Sequence, residues 1–132
     1  MRTYDLEQRL IAFSISAVNY TDTIQKTFAC DHLCKQLIRS STSSALNYAE
    51  SVGSESDKDF IHKQSIVLKE LRETFVCLQI LEGLNKSSDL SKFNGLEKEC
   101  EELVKITYAS ISTVKKRLFS GTSKYPKTYH KR

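Results

Sequence analysis

The hydrophobic pattern divides the chain into four helical segments. Apolar residues recur every three or four positions, as expected for helices that each bury one face. The first helix is predicted over 4–26, the second over 31–52, the third to near Gly83 and the fourth to near Gly121. Short links join the four segments. They predict an all-α fold, an up-down-up-down antiparallel four-helix bundle with left-handed packing at about +20°.

Turn and cap residues mark the ends of these helices. Gly53 is suited to a left-handed C-cap of the second helix. Ser54 or Ser56, each with an aspartate three residues later, predicts the N-cap of the third helix. The segment 85–89 is a polar turn before the fourth helix.

The first helix has two apolar stripes. One is predicted to face the core and consists of Leu6, Leu10, Phe13, Ala17, Tyr20 and Ile24. A second stripe is formed by Ile11, Ile15 and Val18. A surface helix of a monomer seldom needs apolar residues on so much of its circumference, so these three residues are candidates for an oligomer interface.

The second helix carries polar and small residues in QLIRSSTSSALNYAE, residues 36–50. At helical spacing one face holds what we call the polar seam: Arg39, Ser43, Asn47 and Glu50. The face predicted to point at the core consists of Cys34, Ile38, Ser41, Ala45, Tyr48 and Val52. Partly buried Asn and Glu side chains need partners, so we predict that Asn47 and Glu50 bond to another helix, either within or between subunits.

Length and composition predict one domain. The 132 residues include one proline and four glycines, which favours long helices. The predicted division is a bundle over 1–121 and a basic tail over 122–132. The charged N-terminal sequence lacks the apolar run of a signal peptide, and no apolar stretch approaches the roughly 18 residues of a membrane span. We therefore expect a cytoplasmic protein with no membrane contact.

The net charge of +4 is unevenly distributed. Seven basic residues and no acidic residue follow Ser110. The preceding part of the chain therefore has 13 basic and 16 acidic residues, a net charge of −3. Cations interleaved with aromatic rings can contact phosphates and stack on unpaired bases. The candidate nucleic-acid contacts are Lys115, Lys116, Arg117, Lys124, Tyr125, Lys127, Tyr129, Lys131 and Arg132. The alternative is a solvated terminus whose first cations complement a helix dipole.

Catalytic and metal chemistry have little support in the sequence. Antiparallel helices would bring the four cysteines near one another, but their spacing is not that of compact zinc motifs, so we predict reduced core thiols and no metal. The acidic run around residues 97–102 is typical of a solvated helix start. No phosphate-binding glycine loop or nucleophile elbow is present. We predict no enzymatic activity and no cofactor.

The second and third helices resemble a known family. QLIRSSTSSALNYAES followed by DKDFIHKQSIVLKELRETFVCLQIL is similar to the four helix bundle proteins, also called 23S rRNA-intervening sequence proteins. The matching positions are Ser43, Asn47, Glu50, Asp59, Phe60, Lys69, Glu70, Glu73 and Thr74. Two departures are Ser44, where relatives often have a branched apolar residue, and Ser51, where they often have glycine.

The resemblance implies a small bacterial bundle that forms a ring, typically a homopentamer, with no established enzymatic activity. It leaves two hypotheses. One is an oligomeric interaction module organised by the polar seam. The other is a nucleic-acid-binding accessory that contacts RNA through its basic tail and Arg39, as in related accessory proteins that work with a reverse transcriptase.

Overall fold

The computed structural model describes residues 3–85 and 90–121. They form four α-helices: α1 Thr3–Thr21, α2 Phe28–Val52, α3 Asp57–Leu84 and α4 Leu90–Ser120. Each helix packs on the next, and α4 packs back on α1, so the helices surround one core in chain order. Among these four neighbouring pairs, the contact between α2 and α3 is the most extensive and that between α1 and α4 the least. The predicted four-helix bundle is confirmed.

The direction of the helices follows from contacts between them. Near the turn that joins α2 and α3, Gln64 Nε2 donates a hydrogen bond to Ser51 Oγ at 2.7 Å. At the far end of the same pair, Cys77 Sγ lies 3.2 Å from the carbonyl oxygen of Leu33. Residues early in α3 therefore meet residues late in α2, which confirms the antiparallel arrangement.

Side-chain hydroxyls define two of the helix starts. Ser56 is the N-cap of α3, and its side chain accepts a bond from the backbone N–H of Asp59 at 3.1 Å, as predicted. Thr27 caps α2 in the same way by accepting from Cys30 N at 3.1 Å. Because of this cap, α2 begins at Phe28, three residues earlier than predicted.

Two helix ends differ from the predictions. α1 ends at Thr21 instead of residue 26, because the hydroxyls of Thr21 and Thr23 donate to nearby carbonyls at 2.6 and 2.7 Å and favour a turn. Ile24 is nevertheless buried, as predicted. The left-handed conformation predicted for Gly53 is wrong, since its φ is −90°; it still donates its N–H to the last turn of α2. Gly121 is the glycine with positive φ, +74°.

The predicted core stripe of the first helix is confirmed, since all six residues are buried, five of them in α1 and Ile24 after its end. The core face of α2 is rotated from the predicted one: Ser41 and Tyr48 are buried as predicted, but the other predicted residues are not fully buried. Val52 is 49% exposed, while Cys34 and Ile38 are only half-buried. The buried residues of α2 are Cys30, Leu37, Ser40, Ser41, Ser44, Tyr48 and Ser51. The face that points inward is therefore rich in serine and turned toward α3.

Serine hydroxyls bond across this face at close range. Thr74 Oγ1 of α3 lies 2.7 Å from Ser40 Oγ, and the hydroxyl of Ser14 in α1 donates to the carbonyl oxygen of Ser41 at 2.9 Å. The hydroxyl of Ser44 donates within its own helix to the same carbonyl at 2.7 Å. Small side chains let the neighbouring helices approach, and these bonds satisfy hydroxyls that would be costly to bury unpaired.

Candidate interaction site

The second apolar stripe of α1 lies on the surface of the bundle. Ile11 is 39% exposed and Ile15 is 57% exposed, while Val18 is half-buried. We call these three residues the α1 stripe. Ser14, next to the stripe, bonds to α2, whereas Ala12 on the other side lines a cleft toward α4. The stripe thus lies on the side of α1 away from α4, where the core of the chain does not cover it.

The polar seam begins with an ion-pair cluster between α2 and α3. Arg39 donates to Glu70 at 3.0 Å and to Glu73 at 2.7 Å. The hydrogen bond to Glu73 is the main cause that raises the pKa of Arg39 above its ordinary value, aided by the charges of both carboxylates. Glu70 is almost fully buried, whereas Arg39 is half-exposed. Arg39 therefore joins two helices of the same chain.

Among the residues that the structure describes, the rest of the polar seam does not bridge two helices. Asn47 Nδ2 donates to the carbonyl oxygen and to the hydroxyl of Ser43, both at 2.9 Å and both one turn earlier in α2. Glu50 is exposed. The predicted bonds of Asn47 and Glu50 to another helix are not formed by the part of this subunit that the structure describes. A contact between subunits stays a prediction.

All four cysteines are free thiols. Cys30, Cys77 and Cys100 are buried and Cys34 is half-buried. Burial raises the pKa of Cys77 to about 11 and that of Cys100 to about 12, so both are protonated near neutral pH. Cys100 Sγ also lies 3.2 Å from the carbonyl oxygen of Leu71. Over residues 3–85 and 90–121, no three Cys, His, Asp or Glu side chains converge as metal ligands would.

Two carboxylates of the acidic run hold α4 to its neighbours. Glu99 forms a two-bond pair with Arg9 of α1, at 2.6 and 3.0 Å. This hydrogen bonding raises the pKa of Arg9 above its ordinary value. Glu97 accepts from Gln79 of α3. Both carboxylates are thus used for contacts between helices, while Glu101 is exposed.

Two grooves accompany the contacts of α4. A cleft of about 370 Å³ separates it from α1 and is lined by Ala12, Phe13, Ser16, Asn19, Lys92, Gly95, Leu96 and Glu99. A second groove, of about 380 Å³, follows the outer side of the α3–α4 contact. We call it the α3–α4 groove, and its lining is Arg72, Phe75, Val76, Glu101, Val104 and Lys105.

The candidate nucleic-acid contacts at the end of α4 differ in their surroundings. Lys115 and Lys116 are exposed. Arg117 instead turns inward and donates to Asp57, the fully buried first residue of α3, at 3.1 Å. The other six predicted contacts, Lys124, Tyr125, Lys127, Tyr129, Lys131 and Arg132, lie outside the described residues.

Comparison with known families decides the family of this bundle. The model of the 23S rRNA-intervening sequence protein family matches residues 2–109. The chain belongs to this family. The matched residues include the α1 stripe, the polar seam and the α3–α4 groove, whereas the basic segment from Lys115 onward follows the last matched residue. The family model thus covers the apolar surfaces and not the candidate nucleic-acid contacts.

A solved structure supports the assignment to the 23S rRNA-intervening sequence family. The chain is similar to a Bacteroides thetaiotaomicron protein of unknown function from the S23 ribosomal protein family, with 28% identity and a TM-score of 0.72. The similarity covers 80% of this chain and 97% of the other. A search of curated protein sequences found no significant match. None of the helices in the described part of the chain has the length and apolarity needed to cross a membrane.

Proposed function

We propose that this member of the 23S rRNA-intervening sequence family is a non-enzymatic interaction module that works as a homo-oligomer, in a ring such as a pentamer. The observation that carries the proposal is the α1 stripe. Its exposed isoleucines follow helical spacing on a helix whose other face already fills the core. Apolar side chains arranged contiguously on a surface favour association, because association removes them from water.

The positions of the polar groups agree with a scaffold better than with an enzyme. Arg9, Arg39 and Arg117 each bind a carboxylate on another helix. The histidines His32 and His62 are exposed and lie near the starts of α2 and α3, at opposite ends of the bundle. Such charges hold helices in place, whereas catalysis needs titratable groups gathered around a substrate.

The mass of the protein in solution tests this proposal. Light scattering at micromolar concentration is expected to give a multiple of the chain mass. Ile15→Glu is expected to reduce it, because a carboxylate would enter the buried contact. Leu46→Glu is a matched control, since Leu46 is 67% exposed on α2 and lies outside the α1 stripe. A wild-type protein that is monomeric at this concentration would refute the proposal.

A second candidate function is that of a nucleic-acid-binding accessory protein, which would have RNA or a reverse transcriptase as its partner. The observation that favours it is that Lys115 and Lys116 are exposed at the end of α4, directly before the basic tail. In a ring, each cation would be repeated around one rim, so weak phosphate contacts would add.

Removal of the tail after Ser120 tests this second function. If the tail contacts RNA, affinity for single-stranded RNA should fall steeply with salt in the full chain and should be largely lost on truncation. Circular dichroism and light scattering on both forms control for folding and assembly. Equal RNA affinity of the two forms would exclude a contribution of the tail to RNA binding. If neither form bound RNA at low salt, this second function would be excluded.

A further inference from the structure

The α3–α4 groove continues into a second line of exposed aliphatic residues. Val76 in the groove is 55% exposed, and Ile80 and Leu84 follow at intervals of four residues with 45% and 47% exposure. Residues at this spacing share one face of a helix. Since Phe75 and Val104 are partly buried beneath the groove, its floor is also apolar. The bundle therefore has an apolar surface on α3 and α4 in addition to the α1 stripe.

The two apolar surfaces lie on opposite sides of the molecule. The helices surround the core in the order α1, α2, α3, α4, and the α1 stripe is on the side of α1 away from α4. The groove lies between α3 and α4. A two-fold dimer formed through either surface would leave the other in water. Pairing of one surface with the other buries both on every copy, which is the head-to-tail arrangement that closes rings.

The dimensions of the two surfaces agree. From Ile11 to Val18 the stripe extends about 10 Å along its helix, and from Val76 to Leu84 the aliphatic line extends about 12 Å, at about 1.5 Å per residue. The stripe can therefore lie along the groove with its aliphatic side chains covered throughout.

The charges around the two surfaces are also complementary. Acidic Glu7 shares the face of the α1 stripe, one turn before Ile11. Basic Arg72 and Lys105 border the groove, together with acidic Glu101. Among the described arginines, Arg9, Arg39 and Arg117 each pair with a carboxylate, whereas Arg72 forms no ion pair with any described residue. Its guanidinium is available to a partner's carboxylate.

We propose that the α1 stripe of one copy packs into the α3–α4 groove of the next copy, with Glu7 at the start of the stripe toward Arg72 and Lys105. This inference rests on the proposed self-association and specifies its surfaces. Every copy has one stripe and one groove, so copies add head to tail until the groove of the last copy binds the stripe of the first and the ring closes.

Mixing of two variants tests the pairing of unlike surfaces. Ile15→Glu disables the stripe and Val76→Glu disables the groove, and each is expected to weaken association at least ~100-fold, because it buries an unpaired charge. Each variant alone should be a monomer where wild type is assembled. An equimolar mixture should form a species of two chains, because the intact groove of the first variant accepts the intact stripe of the second.

The alternatives give different masses in the same experiment. If like surfaces paired, one of the two variants alone would still associate and the mixture would contain no new species, which would overturn the inference. Folding is controlled by circular dichroism, since both sites are more than half exposed in the single chain. A monomeric wild type would refute the proposed function itself, whereas an oligomer insensitive to Val76→Glu would refute only this pairing.

The charged border gives an independent test. Arg72→Glu is expected to weaken association about tenfold at low salt and less at high salt, because it places like charges together. Lys98→Glu is the matched control, as Lys98 is an exposed cation of α4 that does not line the groove. Equal effects of the two substitutions would contradict the assigned role of Arg72.

Discussion

The ion pair between Arg117 and Asp57 joins the end of α4 to the start of α3. Asp57 is fully buried, and the side chain of Arg117 is 27% exposed. A pair broken in the interior costs about 3–5 kcal/mol and a pair on the surface about 0–1 kcal/mol. Arg117→Met keeps the apolar stem and removes the charge. Because one partner is shielded and the other partly hydrated, we expect a loss of about 2 kcal/mol in the free energy of unfolding.

Thermal and urea unfolding followed by circular dichroism measure this loss. For a chain of this size, about 2 kcal/mol corresponds to a decrease of roughly 5–10 °C in Tm. Lys116→Met is the matched control, since it removes an exposed cation from the next position along the helix. It should change stability by less than about 0.5 kcal/mol. Equal stability of the two variants would refute the structural role of Arg117. Arg117 would then again be a candidate nucleic-acid contact.

Three further changes probe the interior and the polar seam. Ser44→Leu should cost about 1–3 kcal/mol in urea unfolding by overpacking α2, whereas Ser44→Ala should be nearly neutral. Asn47→Leu should cost less than about 1 kcal/mol, since its bonds stay within α2; a larger loss would indicate a partner elsewhere. Because burial raises the pKa of Cys100 to about 12, its contribution to stability is complete below the ordinary pKa near 9 and is lost as the pH rises toward 12. Between these two pH values the urea midpoint of Cys100→Ala should therefore decrease less than that of the wild type.

Cap chemistry and apolar spacing were sufficient to predict most of the architecture. Five core residues of α1 follow from periodicity alone, because that helix has a continuous apolar stripe. Ser54 and Ser56 could be predicted as alternative N-caps from the aspartates that follow them, because a cap is a local interaction, and the structure has Ser56 in that role. Features that depend on nearby residues along the chain are those that a sequence pattern predicts well.

The orientation of α2 could not be predicted in the same way. A hydrophobicity pattern favours positions such as Val52 over Ser40 and Ser44, yet both serines are fully buried and Val52 is half-exposed. The determining factor is the neighbouring helix, since α3 supplies Thr74 opposite Ser40. A sequence pattern could indicate a small-residue face but not which helix approaches it.

In the basic segment at the end of α4, the sequence also could not show which charged side chain points inward. In sequence, Lys115, Lys116 and Arg117 form one basic cluster, but successive residues of an α-helix point about 100° apart. Arg117 is therefore directed toward Asp57 while its neighbours point to solvent. Which of the three turns inward depends on the rotation of α4 against α3, a property of the packed core.

The distribution of apolar residues connects the fold to the proposed assembly. The inner face of α2 uses serine at four fully buried positions, whereas α1 and α3 have isoleucine and valine on the outside. A bundle that acts alone gains more from aliphatic side chains in its core than on its surface. Fully buried serines let α2 lie close to its neighbours and fix its orientation through hydroxyl contacts. The exposed aliphatic residues become stabilising only when another surface covers them, so the same sequence that limits the core of one chain favours contact between chains.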